Sequence, residues 1–322
     1  MRLAFFGSPP FASPILERCL ASSHEVCALV TGPDRPKGRG RALEVSPLVA
    51  RARERGLEIA QPHNARDEEF EASLRALAPD ALLVASYGQI LGRDTLSLAP
   101  LGAFNVHASL LPRHRGASPV QAAVRAGDER TGVCVQRMVW ALDRGDVLLA
   151  RSTPIGERET AGELLVRLAE MGAEIAVEAL DVIESGRGEF TPQDEAQATY
   201  APKLTKADGL LDWSRPADEI DRHVRSVTPW PGARTHLDDG RPLGIARALP
   251  VELERLTDAE RALAEGGEPG TLLRTEGSLV VRAGEGALEV LELTPAGKRT
   301  MPAAAWLRGA RLAEGAVLGG AP

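Results

Sequence analysis

Short apolar runs alternate with helically spaced segments through the first part of this chain, and that alternation limits its fold more than any other feature. Residues 2–6 form an apolar run ending at Gly7, and Ile15, Leu16, Cys19 and Leu20 then share one face of a helix over residues 13–20. Further strands are expected at 25–31, 57–60 and 80–86, with helices over 48–55 and 67–77, the second stopped by Pro79. Strands separated by helices pack as a mainly parallel sheet covered by helices, an α/β architecture. A dinucleotide fingerprint would need glycines two and five places after Gly7, where this chain has Pro9 and Ala12. No nicotinamide cofactor is expected.

At 322 residues the chain has room for two domains, each with a core of its own. Its hydrophobic content of 43% and charged content of 26% are those of an ordinary globular protein. No apolar run approaches the roughly 18 residues of a membrane span, and the N-terminus has no secretory pattern, so a cytoplasmic protein is expected. Cys19, Cys27 and Cys134 show no metal-like pairing and read as buried thiols rather than zinc ligands or a disulfide. A net charge of −7 argues against a uniformly basic nucleic-acid surface, though not against a local basic patch.

The stretch Phe104-Asn105-Val106-His107 reads as a strand, so Asn105 and His107 share one face while Phe104 and Val106 take the other. Pro112 and Gly116 open a loop after it, which puts the two polar groups at the C-terminal end of a strand, where open α/β sheets place ligands. An amide donor beside an imidazole suits a reaction that develops an oxyanion while a proton moves. The carboxylate to complete such a site is Asp143 of Leu142-Asp143-Arg144-Gly145-Asp146, with Asp146 as a competitor. Asp143 lies between a strand over 132–139 and its antiparallel partner over 147–150. Helices over 118–126 and from Thr160-Ala161-Gly162-Glu163 to about residue 183 complete this part.

Asn105-x-His107, then Ser109-Leu110-Leu111-Pro112-x-x-Arg115-Gly116, then Leu142-Asp143-x-Gly145-Asp146, closely resembles the folate-dependent formyltransferases. The resemblance implies a Rossmann-like formyltransferase domain over residues 1–188, a linker over 189–208 and a smaller OB-like β-barrel domain over 209–322. It implies 10-formyltetrahydrofolate as formyl donor, no metal, and Asn105, His107 and Asp143 as the catalytic residues. Folate-binding contacts fall by resemblance on Ser109, Leu110, Leu111 and Pro112 and on Tyr87, Gly88, Gln89 and Ile90. His114 stands where relatives usually carry Tyr or Trp, Pro10 where an acid is common, and Met138-Val139-Trp140-Ala141 is less polar than usual.

Residues 33–41 are rich in proline and glycine and are not expected to form regular structure. From Arg35 to Arg55 seven Lys or Arg face two Glu, a local +5 within an acidic chain. By resemblance this basic loop engages the acceptor end of initiator Met-tRNA, through Arg35, Lys37, Arg39 and Arg41. Residues 198–204, 212–214 and 229–233 continue the resemblance into the C-terminal domain, where short strands over 271–274, 279–282 and 287–293 fit a small antiparallel barrel. Residues 205–322 carry 15 Lys or Arg against 18 Asp or Glu, so that domain is not strongly basic as a whole. The same site residues would serve a hydrolase passing formyl to water or a sugar-nucleotide formyltransferase, and an RNA-binding protein with a relict folate site is a further alternative. The basic loop and the tail from Tyr200 favour tRNA, and a monomer is expected.

Overall fold

The computed structural model describes residues 1–34, 36–37, 42–43, 45–310 and 312–319. They form two compact units. One comprises Met1–Pro119, Arg130–Pro154 and Glu163–Pro202; the other comprises Val120–Glu129, Ile155–Gly162 and Lys203–Pro322. In chain order the elements begin with β1 (Arg2–Gly7), α1 (Ala12–Leu20), β2 (Glu25–Val30), β3 (Pro36–Lys37), β4 (Ala42–Leu43), α2 (Pro47–Glu54), β5 (Glu58–Ala60) and α3 (Glu68–Ala76). Next come β6 (Ala81–Ala85), α4 (Arg93–Leu96), β7 (Ala103–His107), β8 (Arg115–Gly116), α5 (Pro119–Ala126), β9 (Arg130–Arg137), β10 (Val147–Pro154), α6 (Ala161–Glu184) and β11 (Tyr200–Ala201).

Seven of these strands make one sheet in the order β10-β9-β7-β6-β1-β2-β5. The pairs from β5 through β2, β1 and β6 to β7 are parallel, whereas β9 runs antiparallel to β7 and β10 antiparallel to β9. Central strands are covered on both faces, which is why they are apolar without alternation: Leu3, Ala4, Phe5 and Phe6 of β1 are fully buried, as are Leu82 and Leu83 of β6. One pairing fixes the site. In the β7/β9 ladder Asn105 lies opposite Gln136 and His107 opposite Cys134, so Asn105 and Gln136 project from the same face.

Two expectations are corrected here. The segment over 33–41 is not wholly irregular, since β3 pairs antiparallel with β4. Cys27 is half-buried rather than buried, its thiol donating to the Leu3 carbonyl at 3.4 Å, while Cys19 and Cys134 are buried as expected and all three thiols are free. No helix among the described residues is long and apolar enough to cross a membrane.

The second unit adds α7 (Ala217–Val227), β12 (Ala233–His236), β13 (Pro242–Val251), α8 (Asp258–Gly266), β14 (Leu272–Arg274), β15 (Leu279–Arg282), β16 (Ala287–Pro295), β17 (Met301–Pro302) and α9 (Ala303–Leu307). Its sheet is antiparallel, in the order β12-β13-β16-β15-β14 with β17 on β16. Leu243, Ile245, Leu272, Leu279, Val281, Leu288, Val290 and Leu293 form its core with Ile220, Val224 and Val227 of α7. Thr257 caps α8 and Glu260 returns the bond to the Thr257 N–H at 2.7 Å, so that helix starts on a reciprocal cap.

Glu260 also receives the Arg274 guanidinium, Nη2 to Oε2 at 2.9 Å, and that bond above all holds its carboxyl down at about 2, against an ordinary 4.5. A carboxyl depressed by folding contributes stability above its unfolded value, and the contribution disappears as pH falls through the folded one. The midpoint of thermal unfolding of this unit is therefore expected to fall more steeply between pH 4.5 and 2 in the wild type than in Glu260→Gln, as followed by circular dichroism.

Candidate active site

β7 delivers Asn105 and His107 to one face, and the turn between β9 and β10 brings Asp143 back against them. The Asp143 side chain is 9% exposed. Three N–H groups converge on its carboxylate: Asn105 Nδ2 and Gln136 Nε2 donate to Oδ1 at 3.3 and 2.9 Å, and the Gly116 backbone donates to Oδ2 at 2.8 Å. A buried carboxylate needs such donors to offset its lost hydration. Oδ2 also lies 3.8 Å from His107 Nδ1.

The other imidazole nitrogen is committed elsewhere. His107 Nε2 lies 3.0 Å from the His114 carbonyl, an oxygen that can only accept, so Nε2 carries a hydrogen and Nδ1 is the nitrogen turned toward Asp143. The departure at His114 therefore leaves this orientation intact, because position 114 acts here through its backbone. Both partners sit on left-handed backbone, with φ of 58° at His114 and 50° at Asp143. Asp and His enter this region more readily than most non-glycine residues, and here hydrogen bonds with Thr199 and Gln193 hold them in it. Asp146, the competitor, is exposed, and its carbonyl accepts the Arg137 N–H at 2.9 Å instead.

The expected folate-binding residues fall in two loops. Ser109 is fully buried and its hydroxyl donates to the Arg113 carbonyl at 2.7 Å, which shapes the loop carrying half-buried Leu110, Leu111 and Pro112. Tyr87 packs edge-on against Phe6 at a centroid distance of 5.4 Å, and burial pushes its phenol up to about 12. Its hydroxyl meets no hydrogen-bond partner among the described residues. Gln89 is occupied within the protein, accepting the Ala65 N–H and donating to the Pro62 carbonyl, both at 2.8 Å. Gly88 and Ile90 are exposed. Arg35, Arg39 and Arg41 lie outside the described residues, as does the Lys37 side chain.

A family profile described as formyl transferase matches residues 1–180, and its C-terminal domain profile matches residues 203–311. The chain belongs to the formyl transferase family. Within it, the methionyl-tRNA formyltransferase of Solibacter usitatus is 44% identical over 319 residues, 99% of each chain. That of Moorella thermoacetica is 43% identical over 319 residues, again 99% of each. Among solved structures, WlaRD, a sugar 3N-formyl transferase crystallised with dTdp and 5-N-Formyl-THF, superposes with a TM-score of 0.65 at 14% identity, over 93% of this chain and 99% of that one. HypX from Aquifex aeolicus, in complex with tetrahydrofolic acid, gives 0.61 at 18% identity, over 95% of this chain and 47% of that one. At these identities the superpositions speak for a formyl transferase fold alone.

Gln136 and the Gly116 amide were not among the sequence candidates. Gln136 was legible in principle, since the antiparallel register sets it beside Asn105, but register is a tertiary property and a lone Gln in a strand carries no signal. Gly116 has φ 111°, and a Cβ there would lie 2.5 Å from the Ala201 carbonyl oxygen. Gly116→Ala is accordingly expected to lower stability by more than about 1 kcal/mol, since the substitution meets both a disfavoured φ and a backbone clash. Urea denaturation of the two proteins measures the difference.

Proposed function

We propose that this chain transfers the formyl group of 10-formyltetrahydrofolate to the α-amino group of methionyl initiator tRNA, the reaction that prepares formylmethionyl-tRNA for translation initiation. The observation that carries the reading is the meeting of Asn105, His107 and Asp143 around one point at the end of β7. The full-length relatives named methionyl-tRNA formyltransferase supply the acceptor.

In this reading the amine nitrogen attacks the formyl carbon, whose oxygen gains negative charge. Asn105 and His107 stabilise that oxygen, and Nδ1 of His107 is the imidazole nitrogen available to hold or pass a proton. Asp143 orients the imidazole and, through a water, accepts the proton lost by the amine. The bond from the formyl carbon to the folate nitrogen then breaks, and that nitrogen takes a proton passed by His107 Nδ1, which the proton gathered at Asp143 replaces. A flat, amide-bearing pterin suits the loops over 87–90 and 109–112, whose half-buried apolar side chains and backbone polar groups offer walls and edge contacts. The antiparallel sheet of the second unit is read as an open barrel of the oligonucleotide-binding type, and its tight turns at Gly277 and Gly286, with φ of 74° and 76°, suit one. The reaction is placed in the cytoplasm.

Incubation with labelled 10-formyltetrahydrofolate and either Met-tRNA, a sugar nucleotide or water alone tests the acceptor. Label is expected on Met-tRNA; label appearing only as formate, or on the sugar, would replace this reading with a hydrolase or a sugar-nucleotide enzyme. Asn105→Ala, His107→Ala and Asp143→Asn should each lower kcat by about 10²–10³ with folate affinity nearly unchanged, as stopped-time assays and equilibrium titration would show. For the basic loop, neutralising Lys37 or Arg39 is expected to reduce the salt slope of tRNA binding by about one for each phosphate that the side chain no longer neutralises. Filter binding across a salt series gives that slope.

A further inference from the structure

Residues 193–201 are fastened to the site loop along their length. The Thr199 carbonyl accepts the Arg115 N–H at 2.9 Å, the Thr199 hydroxyl accepts the His114 N–H at 2.8 Å, and the Ala201 carbonyl accepts the Ala117 N–H at 2.9 Å. β11 thereby pairs parallel with β8, Tyr200 beside Arg115 and Ala201 beside Gly116. From the start of the same stretch Gln193 reaches into the turn that carries Asp143. Its Nε2 donates to the carbonyls of Asp143 and Gly145 at 2.9 and 2.7 Å, and lies 3.2 Å from Gln136 Oε1.

The opposite end of Gln193 is held as firmly. Its Oε1 accepts Nε and Nη2 of Arg115 at 3.0 and 2.8 Å. Arg115 is only 5% exposed, and its remaining fork pairs with Glu195 at 3.0 and 2.8 Å. A buried guanidinium with two acceptors and a planar amide between fixed groups leave Gln193 a single orientation. Gly145 confines the turn from its other side, since a Cβ there would lie 1.6 Å from the Arg137 carbonyl oxygen.

We propose that Gln193, held in place by Arg115 and Glu195, is a positioning residue for Asp143. It grips the two carbonyls that flank the Asp143 turn and so sets where the carboxylate stands relative to His107. Thr199, six positions on, holds His114, whose carbonyl orients the imidazole. One strap thus sets both members of the His107–Asp143 pair. The inference rests on the proposed catalytic role of Asp143, and its test separates the two.

The experiment measures formylation of Met-tRNA by the full chain carrying Gln193→Met, Asp143→Asn or both. Met matches Gln in length and makes none of its hydrogen bonds. Q193M is expected to lower kcat by about 10–100-fold, as a misplacement near 1 Å does, with KM for folate and for Met-tRNA within about twofold of wild type. The double variant should be no slower than D143N alone, because a residue acting only through Asp143 has nothing left to position. Wild-type kcat in Q193M, or a double variant slowed by the product of the single effects, would overturn the inference. A D143N enzyme that keeps its turnover would instead overturn the catalytic reading itself. Should Q193M not fold, Q193N, one methylene shorter and still a donor, is expected to show the same kcat–KM split and the same non-additivity.

Discussion

The Asp143 carboxylate, taken largely out of water and held by three N–H groups, is the interaction on which the arrangement of the first unit depends. A buried carboxylate without donors would cost several kcal/mol. Each donor here comes from a different element: Asn105 from β7, Gln136 from β9, and the Gly116 amide from β8. Satisfying one charge therefore ties two sheet strands and the site loop to a turn that has no regular structure of its own. The register of the β7/β9 pairing makes this possible, because it sets Gln136 directly opposite Asn105 on one face of the sheet.

Asn105 also donates to Asp143 while facing the proposed oxyanion position, and His107 is anchored through Nε2 while Nδ1 faces the carboxylate. Both side chains are thus oriented by their neighbours before substrate arrives. Electrostatic stabilisation of a developing charge is most effective when the donors need not reorganise. The left-handed backbone at His114 and Asp143 fits the same logic. At each position the hydrogen bonds that hold this conformation also fix the His114 carbonyl or the Asp143 turn.

How much of this was legible in the letters follows from the range of the interactions. The strand and helix alternation is local, and the elements at 2–20, 25–30, 81–85 and 103–107 stand where periodicity and glycine or proline punctuation put them. Asn105 and His107 share a face because strands alternate, which needs only adjacent residues. Asp143 was reachable through the family pattern, but its contact with Gly116 spans 27 positions and no periodicity announces it. In the second unit, α7, β12 and β13 were not anticipated. The segment from Arg215 to Val227 is so rich in charge that its apolar stripe of Ala217, Ile220, Val224 and Val227 is masked, and β13 contains Pro242, Gly244 and Pro250, residue types that signal turns.

The stretch over 189–208, read as a linker, also carries contacts that its polarity does not announce. Its prolines, Gln193, Asp194 and Glu195 have the composition of a solvated connection, and Asp194 and Glu195 are indeed exposed, while Gln193 is half-buried against the Asp143 turn. Polar residues are what the Asp143 turn requires of a neighbour. The Asp143 and Gly145 carbonyls and the Arg115 guanidinium all need partners away from water, and an apolar segment could offer none. A single amide bridges them because it donates at one end, to the Asp143 and Gly145 carbonyls, and accepts at the other, from Arg115. The same letters that signal a loop when read alone are therefore the ones demanded when the opposing surface is made of unpaired carbonyls and a buried cation.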